Sequence, residues 1–230
     1  GQFPENTMLA FEKAVEAGAD GIELDVQFSK DGELVIMHDE TLNRTAGVDG
    51  FVKDYTLEQL KAMDVSGKWG DRYGSMEIPT LREYFEHFKD LPVITNIELK
   101  TGIFPYPGIE ERTLEMIREY ELENKIIISS FNHYSCLKMK ELDEKMPCGL
   151  LEESWIGAGK YGRKLGMDFL HPAYPMVTES YVQDAADHGL KVNTWTVNDW
   201  DSMEYFAKIG VNAIIGNFPD LAEKALNPYR

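Results

Sequence analysis

The chain has 230 residues, 43% of them hydrophobic, and carries a formal charge of −17 at neutral pH. That length and apolar content sustain one large core and exclude wholesale disorder, and no stretch reaches the unbroken apolar length of a membrane span. The acidic balance excludes a nucleic-acid interface, which needs a basic face for the phosphates, so any phosphorylated ligand must be drawn in by a local positive feature.

An amphipathic helix is predicted over Thr7–Ala17, with Asn6 or Thr7 as its cap and Gly18 as its end. The run Gly21–Phe28 reads as a strand and Leu34–His38 as its return, because Asp31-Gly32 between them is a tight-turn signal. Thr41–Pro79 follows, with glycines, Trp69 and one convincing helix at Leu57–Met63. An ordered insertion of that length at a strand end usually carries function. A helix over Leu81–Phe88 leads to the strand Val93–Lys100, and from there helices and strands alternate. The helices fall at Gly108–Tyr120, Tyr134–Leu142, Ile156–Leu165, Glu179–His188, Trp200–Ile209 and Leu221–Leu226. The strands fall at Lys125–Phe131, Pro147–Glu152, Asp168–Tyr174, Lys191–Val197 and Ala213–Phe218.

Ile126-Ile-Ile-Ser-Ser-Phe131 is apolar on successive residues, as a parallel strand covered on both faces should be. Setting the return strand aside leaves seven βα units, one short of the eight at which such sheets close. The expected fold class is therefore α/β, a TIM (β/α)8-type barrel forming a single domain over residues 1–230. The insertion lies at about 41–79, after the second barrel strand, and the first strand is expected upstream of Gly1.

Glu23 and Asp25 are two apart in their strand, and Glu98 and Lys100 repeat the spacing downstream. A period of two places each pair on one face. Carboxylates in otherwise buried strands repel one another unless a cation neutralises them. An all-oxygen donor set favours a hard ion, Mg²⁺ or Ca²⁺. The plainer alternative is capping or salt bridging at a barrel rim, which two such pairs make the weaker reading. Lys100 then either touches a phosphate oxygen or pairs with acidic strand neighbours.

His38 ends the return strand and should fold back beside Glu23 and Asp25. Histidine titrates near neutrality and suits proton transfer to a departing alkoxide. His188 precedes Gly189 at a helix end, where a cation favours the dipole. His87 reads as solvated, His133 as starting a helix, and His171 as a strand-end residue that can line a pocket. Phe131 and Trp195 are core residues by default, yet aromatics at a barrel mouth also pack against a small substrate's carbon skeleton. The pattern leaves both open. Cys136 and Cys148 lack a sulfur or histidine at ligand spacing and read as buried free thiols of a reducing compartment, which places the chain in the cytoplasm.

Across essentially its whole length the chain resembles the glycerophosphodiester phosphodiesterases of bacterial type. The motifs are Pro4-Glu-Asn-Thr7, Gly21-Ile-Glu-Leu-Asp-Val26, Lys30-Asp-Gly-Glu-Leu-Val35 and His38-Asp-Glu-Thr-Leu-Asn-Arg-Thr45. Ile97-Glu-Leu-Lys100, Ser129-Ser-Phe131, Asn193-Thr-Trp-Thr-Val-Asn198 and Ile214-Ile-Gly-Asn-Phe-Pro-Asp220 follow in order. The resemblance implies a TIM barrel with a small insertion, and one divalent cation, Mg²⁺ or Ca²⁺, held by Glu23, Asp25 and Glu98. It implies His38 as one of two acid/base histidines, Lys100 as a phosphate contact, and Phe131 and Trp195 beside the glycerol moiety. The implied reaction is hydrolysis of a small glycerophosphodiester to glycerol 3-phosphate and an alcohol. Neither nucleic acid nor a transmembrane segment is involved, and no oligomeric state is assigned.

The family pattern opens with His-Arg-Gly shortly before Pro-Glu-Asn-Thr, its histidine the partner acid/base and its arginine a phosphate ligand. Residues 1–230 begin inside that stretch, at Gly1-Gln-Phe-Pro4. The expectation for this polypeptide by itself is impaired turnover. The alternative reading is a truncated or catalytically silent member that binds metal and glycerol phosphate.

Overall fold

In the computed structural model, which describes residues 1–153 and 155–229, a first unit of residues 1–16 and 20–126 is built around an acidic strand. Helix α1 (Met8–Glu16) is capped by Thr7, whose hydroxyl accepts from the Ala10 amide at 3.2 Å. Strand β1 (Gly21–Phe28) turns into β2 (Leu34–Ile36), which runs antiparallel in the register Val26↔Ile36 and Phe28↔Leu34. The turn works because Gly32 adopts φ 82°, open to a residue without Cβ. The Ser29 hydroxyl donates to the Asp31 carboxylate at 2.7 Å and accepts from the Glu33 amide at 3.0 Å.

The insertion holds three short helices, α2 (Asn43–Ala46), α3 (Leu57–Lys61) and α4 (Gly70–Tyr73), of which α3 alone was legible in advance. A helix of four residues is too short to display a 3.6-residue period. What orders the segment is burial. Leu42, Val52, Leu60, Val65 and Ile78 pack on Val35 and Met37 at the outgoing end of β2. Capping boxes pin α3 through Thr56 and Gln59, and α5 (Leu81–Phe88) through Thr80 and Glu83. The buried face of α5 meets α1, with Phe11 edge-on to Tyr84 at 5.2 Å. Strand β3 (Ile94–Leu99) runs parallel to β1 and pairs Asp25 with Glu98. Helix α6 (Ile109–Glu119) follows.

The second unit comprises residues 17–19 and 127–230. It alternates β4 (Ile126–Ser130), α7 (His133–Leu142), β5 (Cys148–Glu152), α8 (Ala158–Lys164), β6 (Phe169–Pro172), α9 (Glu179–Asp187), β7 (Lys191–Thr194), α10 (Trp200–Lys208), β8 (Ala213–Ile214) and α11 (Pro219–Leu226). Successive strands are parallel, aligned by pairs such as Ser129↔Gly149, Leu150↔Leu170, Leu170↔Val192 and Asn193↔Ala213. The apolar run of β4 is buried except for the half-buried Ile127, close to what a strand covered on both faces requires, and every residue of β5 is buried. Gly149 lies against the His171 ring, which any Cβ at that position would strike. Cys136 and Cys148 are the buried free thiols expected, and burial pushes the Cys148 thiol up to about 12. Among the described residues no helix is long and apolar enough to cross a membrane.

The insertion's cluster gives a direct test of whether it is a packed core. Leu60→Ala should cost about 2–4 kcal/mol in urea unfolding, because it empties a fully buried site. A loss below about 1 kcal/mol would show instead that the segment drapes loosely over β2.

Candidate metal centre and its proton-transfer neighbour

Alternation along β1 puts Glu23 and Asp25 on one face, and the parallel register brings Glu98 of β3 directly opposite Asp25. Among the described residues, Glu23, Asp25 and Glu98 each bring one carboxylate oxygen to within 4.8 Å of the others. Asp25 and Glu98 are 3% and 7% exposed, and Glu23 is partly buried. Lys100, one residue past β3, points its ammonium back at the group, 2.9 Å from Glu98 Oε1 and 3.6 Å from Asp25 Oδ1.

Charge crowding dominates this corner. Burial, then the neighbouring Asp25 charge, push Glu98 up to about 7, against the pull of Lys100. Burial, Asp25 and Glu98 together hold Glu23 well above the usual carboxylate range. Burial by itself would lower Lys100, but Glu98 and Asp25 overcome it and hold the ammonium more firmly protonated than usual. Asp25 Oδ2 accepts from the Asn6 amide at 2.8 Å, whereas the buried Oδ1 has no hydrogen-bond partner. The Lys100 ammonium at 3.6 Å offsets the charge on Oδ1 without reaching hydrogen-bond distance, so part of the cost of burying that atom remains. Clustered oxygens, one of them buried and unmatched, fit a hard divalent cation.

Of the two cap candidates for α1, Thr7 performs the task, and Asn6 instead adopts φ 52° and turns its amide to Asp25. Asparagine tolerates this left-handed conformation better than most side chains. Its neighbour Glu5 has a second task. The guanidinium of Arg44, from α2, bridges Glu5 and Asp39, donating to Glu5 at 2.8 and 2.5 Å and to Asp39 at 2.7 and 2.9 Å. Hydrogen bonding from Arg44 holds Asp39 down to about 2 and lowers Glu5 as well.

Asp39 in turn lies 2.7 Å from Nδ1 of His38. An ionised carboxylate can only accept, so Nδ1 carries the hydrogen and Nε2 is left free for chemistry. The His38 side chain is 52% exposed, and in its protonated form the ring opposes the upward push on Glu98. No spacing rule announces this relay. Its members are charged residues that a sequence shows as ordinary surface positions.

Phe131 and Trp195 belong to the second unit, directly after β4 and β7. Their rings meet edge to face at 5.6 Å, Phe131 is 44% exposed, and the Trp195 indole donates to the His171 carbonyl at 2.7 Å. Neither is plain core. His171 itself is fully buried rather than pocket-lining. Burial holds its ring down to about 3, and its Nε2 accepts from Asn193, whose Oδ1 accepts from Asn212. His133 opens α7 as expected, His188 caps α9 beside Asp184, and His87 pairs with Glu12 at the surface.

With this geometry in place, likeness to known proteins is informative. Residues 1–221 match the glycerophosphoryl diester phosphodiesterase family. A glycerophosphodiester phosphodiesterase of Caldanaerobacter subterraneus subsp. tengcongensis is 45% identical, covering 94% of this chain and 90% of that protein. One from Bacillus altitudinis is 39% identical, covering 97% and 93%. Among solved structures, an Oleispira antarctica phosphodiesterase in complex with the product sn-glycerol-3-phosphate superposes with a TM-score of 0.89 at 29% identity. The match covers 99% of this chain and 93% of that one. These likenesses fix the fold class as the α/β, TIM-barrel type expected from the strand pattern. The chain belongs to the glycerophosphoryl diester phosphodiesterase family.

Proposed function

We propose that the protein hydrolyses small glycerophosphodiesters to glycerol 3-phosphate and an alcohol, with a divalent cation, Mg²⁺ or Ca²⁺, held by Glu23, Asp25 and Glu98. The observation that carries this is the convergence of three carboxylates and Lys100 at one corner, electrostatically coupled to a histidine whose tautomer is set by Asp39. The names of the relatives, and the product held by the Oleispira antarctica phosphodiesterase, support the same substrate class.

A divalent cation held by Glu23, Asp25 and Glu98 would supply Lewis-acid polarisation of the phosphoryl group and offset the charge that builds up in the transition state. Lys100 supplies a second positive charge from the protein, and its ammonium can turn from Glu98 toward a non-bridging phosphate oxygen. Hydrolysis adds water across the P–O bond of the alcohol, so a proton leaves the attacking oxygen and one arrives on the departing one. His38 moves one of these protons through Nε2. Asp39 holds the Nδ1 side of that ring, Arg44 keeps Asp39 ionised, and Glu5 holds the Arg44 guanidinium in place. We assign the glycerol contact to Phe131 and Trp195 on the family resemblance and on the exposed ring that Phe131 offers. The cytoplasm is retained as the proposed compartment, on the free thiols.

Release of glycerol 3-phosphate should stop on chelation and return with Mg²⁺ or Ca²⁺. Glu98→Gln should lower it about 10²-fold or more. Activity indifferent to chelator would contradict the assignment, while ion and glycerol 3-phosphate binding without release would favour the silent alternative.

Asp39→Asn preserves shape but permits the wrong His38 tautomer. It should lower kcat by about 10²-fold or more with a small change in KM. An unchanged kcat would remove Asp39 from the mechanism.

The raised Glu98 also makes a stability prediction. Its folded value of about 7 exceeds the ordinary 4.5, so the protonated carboxyl stabilises the fold fully below about 4.5. That stabilisation is lost as pH rises through about 7. In chelator, wild type should therefore lose up to about 3 kcal/mol relative to Glu98→Gln between pH 5 and 8. A pH-independent difference between the two proteins would contradict the crowding described above.

A further inference from the structure

The face of β1 that carries Glu23 and Asp25 has a third member, Gln27, which has no part in the mechanism above. It is completely buried. Its Nε2 donates at 2.8 Å to the carbonyl of Met37 and at 2.8 Å to that of Asp39, with the His38 carbonyl between them at 3.4 Å. Its Oε1 accepts from the Tyr106 hydroxyl at 2.9 Å. Both amide hydrogens and the oxygen are therefore used, and the orientation is unambiguous, since the flipped amide would set its oxygen against two carbonyls.

Two features make this more than a satisfied core amide. Its acceptors flank His38 on both sides, just past the last β1–β2 register pair, where the Met37 amide makes one further backbone bond to the Asp25 carbonyl at 3.0 Å. Tyr106, on the other side, lies in the loop that follows Lys100 and sits at φ 43°, a left-handed conformation that a bulky residue rarely adopts. Such backbone persists when surrounding contacts over-determine it. Here those contacts are the hydroxyl bond to Gln27 and the edge-on rings of Phe28 and Phe104, at 6.2 and 6.1 Å.

We propose that Gln27 is a positioning residue for His38. Its carboxamide clamps the backbone on both sides of the histidine and, through Tyr106, ties that segment to the loop after Lys100. The proton-transfer group and the phosphate-facing lysine are thereby held in one register. Asp39 sets the tautomer of the ring, whereas Gln27 sets where the ring is. A carboxylate at position 27 would repel the two carbonyls, and an apolar side chain would leave them and a phenol unmatched. This inference rests on the proposed role of His38, so its test needs one readout independent of turnover.

The variants are Gln27→Met, close in size but without the amide, and Tyr106→Phe, which removes one oxygen and leaves the packing. Displacement of a reacting group by about 1 Å can cost on the order of 10²-fold. Gln27→Met should therefore lower kcat about 10–100-fold and Tyr106→Phe about 3–10-fold, with KM and divalent-cation affinity within about twofold. In a His38→Ala background the same changes should alter kcat less than about twofold, because Gln27 acts through the ring that is gone. Independently, the ring NMR signals of His38, one of five histidines, should shift and broaden in both variants while the other four stay in place. Unmoved His38 signals overturn the clamp whatever the activity. So do losses that persist in the His38→Ala background, or a weakened cation affinity. Shifted signals in a protein that releases no glycerol 3-phosphate support the clamp and defeat the substrate assignment instead.

Discussion

Like charges forced together in a dry corner govern this molecule. The parallel register of β1 and β3 sets Asp25 beside Glu98, and the pleat sets Glu23 on the same face. Lys100 is close enough to offset part of that charge. Proton binding offsets the remainder, and Glu98 and Glu23 both lie above the usual carboxylate range. A folded chain retains such an arrangement against its cost when a ligand relieves it, and a divalent cation is the ligand whose chemistry fits the donor atoms.

The surroundings follow from holding that corner still. Adjacent residues of one short segment reach to different parts of it: Asn6 to Asp25, and Glu5 through Arg44 to Asp39. Arg44 comes from α2, in the insertion, whose own packed cluster anchors it to the end of β2. The insertion is thus more than a cover. It brings the charge that fixes Asp39, and through Asp39 the ring of His38. Structural economy of this kind makes distant substitutions in the insertion candidates for altered catalysis as well as altered stability.

Much of this was legible in the residues, for identifiable reasons. Strands with a strict period of two declare which side chains share a face, so the Glu23, Asp25, Glu98 and Lys100 group could be read directly. Turn chemistry at Asp31-Gly32 declared the hairpin that places His38. What could not be read were partnerships between distant residues that local pattern does not connect. Arg44 and Glu5 are 39 positions apart, and Gln27 and Tyr106 are 79 apart. Asn6 and Thr7 both suit a helix cap, and the choice between them is made by a carboxylate that neither flanks in sequence. The helices α2 and α4 were invisible because a single turn has no periodicity to detect. His171 shows the reverse: its place at a strand end allows it to line a pocket, yet it is neutral core, hydrogen-bonded to Asn193, which Asn212 bonds in turn.

The most direct measurement is calorimetric titration of Mg²⁺ and Ca²⁺ into the protein at pH 7, in two buffers of different ionisation enthalpy. Crowded carboxylates that hold protons must give them up to bind metal. Saturable binding of a single ion with net proton release, abolished in Asp25→Asn, is the predicted result. Absence of saturable binding, or binding that leaves the proton count unchanged and survives Asp25→Asn, would contradict it.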